Sequence, residues 1–550
     1  MSESVDSPKP ASAAPSQDRK AETALMEKIV SLCKRRGLIF QASEIYGGLN
    51  GAWDYGPLGT ELKRNVKDYW WRKMTRERDD VVGMDGAILQ SRKVWQASGH
   101  EKTFADPMVD CKNCNSRFRA DQLSNTYEDA DWYKWLTKLY HRGNLDFNEL
   151  EIVSRGPRAE GLGIELALRP KETIEALKLY KAIDFDSFFN VAVSGDNGSP
   201  GTAPRRTPAE SNRCPNCGGE LTEPRSFNLM LKTYIGAIES EDAITYLRPE
   251  TAQAIFVQFK NVLDTSRKKL PFGIAQIGKA FRNEINPRNF TFRSREFEQM
   301  ELEYFCRAED GMALTDYWLE ERLKFYEEIG LPRTKLHVLD VAKEDLAFYS
   351  KKTYDIEFEF PFGIQELEGV AYRTDYDLKT HQESSGKSME YFDDETRERF
   401  IPHVVEPSAG VDRTVLAVIC HAYDEEEVTD DKGNSETRVV LRFHPRVAPI
   451  KVAVFPLLKK NEQQVALARE IEKSLKPWMK VSYDETGAIG RRYRRQDEVG
   501  TPFCVTVDFD TIGENGPELQ NTVTMRDRDS MEQIRMPISE LRDWLIGKVM

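Results

Sequence analysis

The chain has no apolar run approaching the ~20 consecutive residues that a membrane-spanning helix needs, so no transmembrane segment is expected. Its first stretch, Met1 to Lys20, is rich in Ser, Pro and Ala and has no apolar h-region. That excludes a secretory signal in this stretch and reads as a disordered tail. The glycine fingerprint of a dinucleotide-binding fold is absent. So is any Ser-His-Asp or Cys-His constellation that would serve a protein nucleophile. Positive charge is in deficit, with 78 Lys+Arg against 91 Asp+Glu and a net charge of -13. This argues against bulk attraction to nucleic acid, yet leaves room for a local basic patch.

What is present is more specific. At 550 residues, 40% hydrophobic and 10% aromatic, the chain is expected to build two to four domains with real cores. The cysteines number 8 and include two Cys-x-x-Cys pairs, Cys111/Cys114 and Cys214/Cys217. The second reads Cys-Pro-Asn-Cys-Gly-Gly, a knuckle that aims two thiolates at one ion. A four-cysteine structural zinc site follows, with a metal-free knuckle as the bland alternative.

The chain is organised around Gly278 to Phe305, two strand-like segments joined by an arginine-rich loop. From Phe297 to Phe305 residues alternate. Met300, Leu302 and Tyr304 share one face with Glu298, and Phe297, Gln299, Glu301 and Glu303 share the other. Two carboxylates and an amide in mid-sheet are costly unless they line a site, the alternative being a solvated face with cross-strand ion pairs. The first segment is expected to place Arg282 and Glu284 on one face in the same way.

Phe281-Arg-Asn-Glu284, a loop, then Arg295-Glu-Phe297 resembles motif 2 of the class II aminoacyl-tRNA synthetases. The runs Phe281 to Arg288 and Arg295 to Glu301 are similar to the glycyl-tRNA synthetases in particular. The resemblance continues through Val94 to His100, Arg225 to Thr233 and Tyr246-Leu-Arg-Pro-Glu-Thr-Ala-Gln253, and through Glu406-Pro-Ser-Ala-Gly-Val-Asp-Arg413, which looks like motif 3. Gly59 to Met74 and Val81 to Leu89 correspond to motif 1, a helix and strand that form the homodimer interface in that family.

The fold class implied is α/β (α+β): a class II antiparallel-sheet catalytic domain with flanking helices, plus a C-terminal α/β anticodon-binding domain. The expected boundaries are a tail at 1–20, core parts at 21–124 and 213–440, an insertion and linker at 125–212, a helical insertion at about 307–351, and the anticodon-binding domain at 447–550. Within the last, strands are expected from Ile450 to Leu457, Phe503 to Phe509 and Thr522 to Arg526, with a helical end from Ser530 to Val549.

The activity implied is ATP-dependent attachment of glycine to tRNA(Gly) through glycyl-adenylate, with transfer to the 3'-terminal adenosine, by a cytoplasmic homodimer using ATP with magnesium. Phosphoryl chemistry of this kind asks for positioning and charge stabilisation. By resemblance the catalytic residues are Arg282 on the α-phosphate, Arg413 on the γ-phosphate, and Glu366, which helps bind magnesium. The ATP site takes in Arg282, Asn283 and Glu284, then Phe292, Arg293, Ser294, Arg295, Glu296 and Phe297. Glu366 and Leu367 join them, with Gly410, Val411, Asp412 and Arg413. Glu284 would accept from the adenine amino group and Phe297 would stack on its ring. The glycine site comprises Arg119 and Glu250, the run Phe297, Glu298, Gln299, Met300 and Glu301, and the run Glu406, Pro407, Ser408, Ala409 and Gly410. Glu250, Glu301 and Ser408 would grip the ammonium and leave no space for a side chain. Arg491, Arg492, Tyr493, Arg494 and Arg495 form a basic, aromatic-bearing patch suited to tRNA.

Three other readings compete: a class I synthetase, a catalytically dead relative, and a sibling amino-acid specificity, against which the combination of Glu250, Glu301 and Ser408 favours glycine. A class I synthetase is disfavoured because no His-x-Gly-His or Lys-Met-Ser-Lys-Ser signature occurs. A catalytically dead relative that only binds nucleic acid would share the fold, but the whole ATP set is retained here.

Overall fold

The computed structural model describes residues 17–120, 153–154, 162–163, 214, 220–429 and 435–550. It divides into two compact units, 1–20 with 103–228, and 21–102 with 229–550. The expected insertion at 125–212 lies outside the described residues, apart from two short paired segments at Val153–Ser154 and Leu162–Gly163. The expected tail also lies outside them up to residue 16, and the helix α1 (Gln17–Arg36) takes its last four residues.

The larger unit is built on seven strands: β1 (Val81–Gly83), β2 (Phe272–Phe281), β3 (Glu296–Cys306), β4 (Leu336–Asp340), β5 (Lys352–Phe360), β6 (Gly363–Thr374) and β7 (His403–Gly410). Their order across the sheet is β4-β5-β6-β7-β3-β2-β1. Every neighbouring pair is antiparallel except β1 and β2. Around the sheet run α2 (Pro57–Trp71), α3 (Ala252–Ser266), α4 (Gly311–Glu328), α5 (Tyr376–Ser385) and α6 (Val411–Ala422).

One sheet face is dry. Met300 and Leu302 of β3 pack with Leu62, Val66 and Trp70 of α2 and with Val415, Leu416 and Ile419 of α6 in one buried cluster. The α2 sequence puts its apolar residues on a single stripe, and burying each large one contributes about 1.5–3 kcal/mol. Pro57 starts the helix where an N–H would go unused. Gly59 is required by close approach: a Cβ there would sit 1.8 Å from the Leu38 carbonyl oxygen. The opposite face is apolar only at one end, where Phe305 and Phe272 meet Phe259 of α3. From Glu303 back to Gln299 that same face turns polar, and still it is buried.

Several expected elements change length. The motif 1 strand stops at Gly83 instead of Leu89, and Leu89 makes an isolated bridge with Leu247. The segment expected to be helical over 307–351 is a helix only to Glu328. It then supplies β4, an edge strand of the sheet, whose short, mostly exposed Leu-His-Val-Leu-Asp is a weak strand signal. β2 ends at Phe281, so Arg282 and Glu284 lie in the loop and not on a strand face. The acidic segment after α6 is a hairpin, Tyr423–Thr429 with Ser435–Leu441.

The C-terminal part has its own core and a five-stranded sheet of β8 (Val452–Pro456), β9 (Val481–Tyr483), β10 (Phe503–Val507), β11 (Thr522–Asp527) and β12 (Gln533–Pro537), ordered β9-β8-β10-β11-β12. Three helices accompany it, α7 (Glu462–Leu475), α8 (Ile489–Val499) and α9 (Ile538–Val549). The run expected to end helically from Ser530 therefore opens with a strand; the helix waits for Pro537 to set its first turn. A buried charge cluster ties this part to the hairpin. Asp497 of α8 accepts from Arg438 at 2.9 Å and from Arg526 at 2.9 and 3.2 Å.

Candidate active site

The polar half of the second sheet face is where the candidate residues converge. Register fixes the arrangement: Glu301 of β3 stands opposite Gln276 of β2 on one side and Ser408 of β7 on the other. Ser408 Oγ donates to Glu301 Oε1 at 2.8 Å, and Thr251, just before α3, donates to Glu301 Oε2. Gln276 Nε2 in turn donates to the Thr251 carbonyl at 2.9 Å, so the start of α3 is fastened to the sheet. Gly278 makes space for Arg248, since a Cβ there would lie 2.2 Å from that guanidinium.

Glu250 lies beside this group. Its Oε1 accepts from Gln253 Nε2 at 3.0 Å, and its Oε2 lies 3.2 Å from His100 Nε2. Burial pushes the Glu250 carboxyl up, but His100, Arg373 and the Gln253 amide outweigh it and hold the group well below the usual carboxylate range. Glu301 behaves oppositely. Burial, with the charges of Glu406 and Glu250 beside it, raises it to about 8.

Behind these two lies Arg373 of β6, 2% exposed. It donates from Nε and Nη2 to Asp377 at 2.8 and 2.9 Å, and from Nη1 to Glu406 of β7 at 2.6 Å. Tyr349 lies against its guanidinium with the ring centroid 4.1 Å away. Gln253 extends the network, donating to Asp377 at 3.0 Å and pairing with His381 at 2.8 Å.

The arginine-rich loop closes the other end. Arg282 lies over the Phe297 ring at 5.3 Å and donates to the Pro249 carbonyl at 3.2 Å, next to Glu250. Glu284 is buried and accepts from Arg293 at 2.7 Å. Arg295 is pinned by the Glu284 and Asn50 carbonyls at 2.9 and 2.7 Å. Arg413, at the start of α6, lies over the Phe292 ring at 4.5 Å and pairs with Glu366 at 3.2 Å. Phe292 and Arg293 belong to the same loop, which thus reaches both Arg413 and Glu284. Glu366 stands opposite Glu357 on β5, and Asp355 nearby is raised to about 6 by burial and by these two charges.

Some expected site residues face elsewhere. Met300, Leu367, Ala409 and Val411 put their side chains in the dry core, leaving only backbone for a ligand. Glu298 pairs with Lys63 and Lys67 of α2 at 2.8 and 2.9 Å. Asp412 accepts from Lys63 and from the Glu298 N–H, both at 2.7 Å. These two acids brace helices; the period-two pattern had already put Glu298 on the core face. Ser294 is buried on the Thr291 carbonyl, Glu296 pairs with Lys279 at the surface, and Asn283 is held by its N–H on the Leu229 carbonyl. Pro407 is part of β7.

In the smaller unit, Ala105–Asp110 is the central strand of three, between Arg117–Arg119 and Arg225–Asn228. Arg119 pairs there with Asp106 at 3.2 Å. Ligand atoms of Cys111, Cys114 and Cys214 lie within 4.8 Å of one another. The N–H groups of Asn113 and Cys114 point at Cys111 Sγ, both at 3.4 Å, as in a metal knuckle. Cys217 lies outside the described residues.

On α8 the basic run splits. Arg492 is buried and donates to the Gly487 carbonyl at 2.8 Å, Tyr493 bonds Thr506 at 2.7 Å, and Arg495 pairs with Asp484 at 3.0 Å. Arg491 is exposed and Arg494 partly so. The expected five-residue patch is therefore corrected at Arg492, which a helical turn carries inward.

Residues 236–422 match a family model described as the class II core domain of tRNA synthetases (G, H, P, S and T), and residues 451–548 match an anticodon binding domain. A glycine–tRNA ligase of Treponema denticola is 48% identical over 94% of this chain and 95% of its own length. The chain belongs to the glycine–tRNA ligase family. Ligases of Thermobifida fusca and Caldanaerobacter subterraneus are 45% and 48% identical over 96% and 95% of this chain, and 99% and 98% of their own. The matched synthetase core contains the network from Glu250 to Arg413 apart from His100 and Asn50, and the second match covers all five C-terminal strands. Sequence reading of this ligase gave no role to His100, Gln253, Arg373, Asp377 or His381. Arg373 carried a usable signal, a lone cation after Val370-Ala-Tyr in a buried strand.

Proposed function

We propose that this chain activates glycine with ATP and transfers it to the 3'-terminal adenosine of tRNA(Gly). One observation carries the reading: two carboxylates, the buried Glu301 and the half-buried Glu250, stand at one end of a polar sheet face, and Arg282 connects them to a loop of arginines and aromatics. A substrate with an ammonium and a carboxylate but no side chain fits the first region, and a nucleoside triphosphate fits the second. Arg282 follows charge onto the α-phosphate, Phe297 stacks on adenine with Glu284 accepting from its amino group, and Arg413 holds the γ-phosphate. Glu250, Glu301 and Ser408 receive the ammonium. Magnesium accompanies ATP in class II enzymes, and Glu366, with Glu357 and Asp355 beside it, is the oxygen set that would hold it.

The remaining assignments are part of the same proposal. Cys111, Cys114, Cys214 and Cys217 bind structural zinc. Residues 447–550 read the anticodon, with Arg491 and Arg494 on phosphate. Two chains pair as a cytoplasmic homodimer. ATP–pyrophosphate exchange measured with each amino acid in turn tests the reading. Glycine alone should support exchange; exchange driven by another amino acid, or by none, would overturn it.

A further inference from the structure

Glu303 is the one acid of this face to which the reaction gives no work. It is completely buried on β3, two residues beyond Glu301. Among the described residues neither of its oxygens accepts a hydrogen bond from any N–H or hydroxyl group. The register that sets Glu301 against Ser408 and Tyr304 against Val405 brings Glu303 alongside Glu406 of β7. The three carboxyls of Glu301, Glu303 and Glu406 place oxygens within 4.8 Å of one another.

The charged groups around Glu303 come from four elements. Glu301 is on its own strand, Glu406 on β7, Arg373 on β6, and Asp377 on α5. Glu250 at the head of α3 and Tyr349 complete the shell, with His100 and His381 beyond it. Arg373 is buried and its donors go to Asp377 and Glu406, while Arg248, equally buried and near Glu301, spends its donors on the Lys279 and Gly86 carbonyls. A carboxylate at 303 would be a buried anion with no donor, facing a second anion. That arrangement is strongly unfavourable and is relieved by taking up a proton. Two carboxyls that meet can bond only through such a proton, as paired acids in other active sites do.

We propose that Glu303 is a neutral acid that donates its proton to Glu406, and that it acts as a positioning residue for the glycine pocket. Burial and the neighbouring Glu406 and Glu301 charges raise its carboxyl well above the usual range, against the smaller pull of Arg373. The O–H and the Arg373 guanidinium then hold Glu406 as a carboxylate from two sides. The charge facing the cavity is left to Glu250, and to Glu301 once glycine displaces its proton. It also follows that three clustered carboxyls, spaced as a cation site would be, do not take a divalent ion. This inference rests on the glycine reading for its purpose, though not for its first test.

That test is the infrared difference spectrum of unliganded protein at neutral pH, E303Q against wild type. The expected result is loss of one protonated-carboxyl stretch, sensitive to deuterium exchange. Should E303Q fail to fold, E406Q, whose amide replaces the acceptor, must shift that stretch instead. Glycine-dependent pyrophosphate exchange gives the second readout. E303Q supplies an amide donor of the same shape and should keep kcat and glycine KM within about fivefold of wild type. E303A, which removes the donor, should raise glycine KM by about tenfold or more. No protonated carboxyl at 303, a divalent ion resting among the three acids, or an E303Q loss beyond about fivefold would overturn the proposal. Absence of glycine-dependent exchange in wild type would sink the function while leaving the infrared result intact.

Discussion

Replacing Arg373 by methionine should be among the most damaging single changes in the larger unit. The guanidinium makes three hydrogen bonds of 2.6–2.9 Å to Asp377 and Glu406 and is 2% exposed. Methionine fills much of the volume but supplies no donor. Asp377 then keeps only the Gln253 amide and Glu406 only the Glu303 proton, with Glu301 and Glu250 close by. Removing one partner of a buried ion pair costs about 3–5 kcal/mol. At ~2–4 °C per kcal/mol for a domain of this scale, the first melting transition should fall by on the order of 10 °C. The effect has a sign in pH. Glu406 already has a folded-state pKa above its unfolded value, and loss of Arg373 raises it further. A carboxyl of that kind destabilises the fold as pH rises through the interval between the two values. The melting deficit of R373M should therefore be smaller at about pH 5.5 than at about pH 8. Differential scanning fluorimetry across pH measures both. A deficit under about 2 °C at every pH would refute the claim that Arg373 neutralises the pocket's acids.

Three further outcomes follow from the site. E250Q keeps the shape and the Gln253 contact but loses the charge, so glycine KM in pyrophosphate exchange should rise about 10- to 100-fold while ATP KM holds; equal effects on both would remove Glu250 from the ammonium site. Glu301, at about 8 in the empty pocket, carries a proton at lower pH that the glycine ammonium must displace. Calorimetry in buffers of different ionisation enthalpy should then show release of close to one proton per glycine near pH 7, fading above about pH 9; no release would contradict the raised value. Native protein should contain one zinc per chain by mass spectrometry, and C214S should lose it; a metal-free wild type would leave the cysteine cluster without that role.

The alternation of β3 was legible because period two needs only the chain itself: it separated Met300 and Leu302 from Gln299, Glu301 and Glu303, as the packing does. The C-terminal α/β pattern was legible for similar local reasons. Short half-exposed strands were not. Leu336–Asp340 and Gln533–Pro537 earn their pairing from neighbours distant in sequence. Cross-strand partners were likewise out of reach. Nothing in Glu303 or Glu406 alone announces that register brings them together, or that Arg373 would be shared between β7 and α5. Glu298 entered the expected site although period two put it on the core face, and the direction of Asp412 was missed, because a motif match specifies positions without saying which face each occupies.

The most direct measurement is a crystal structure with a non-hydrolysable glycyl-adenylate analogue. The account requires the analogue's ammonium within hydrogen-bond reach of the Glu250 and Glu301 carboxylates, its phosphate on Arg282 and its adenine against Phe297. An analogue seated elsewhere, or bound with its ammonium turned away from the polar face of β3, would contradict it.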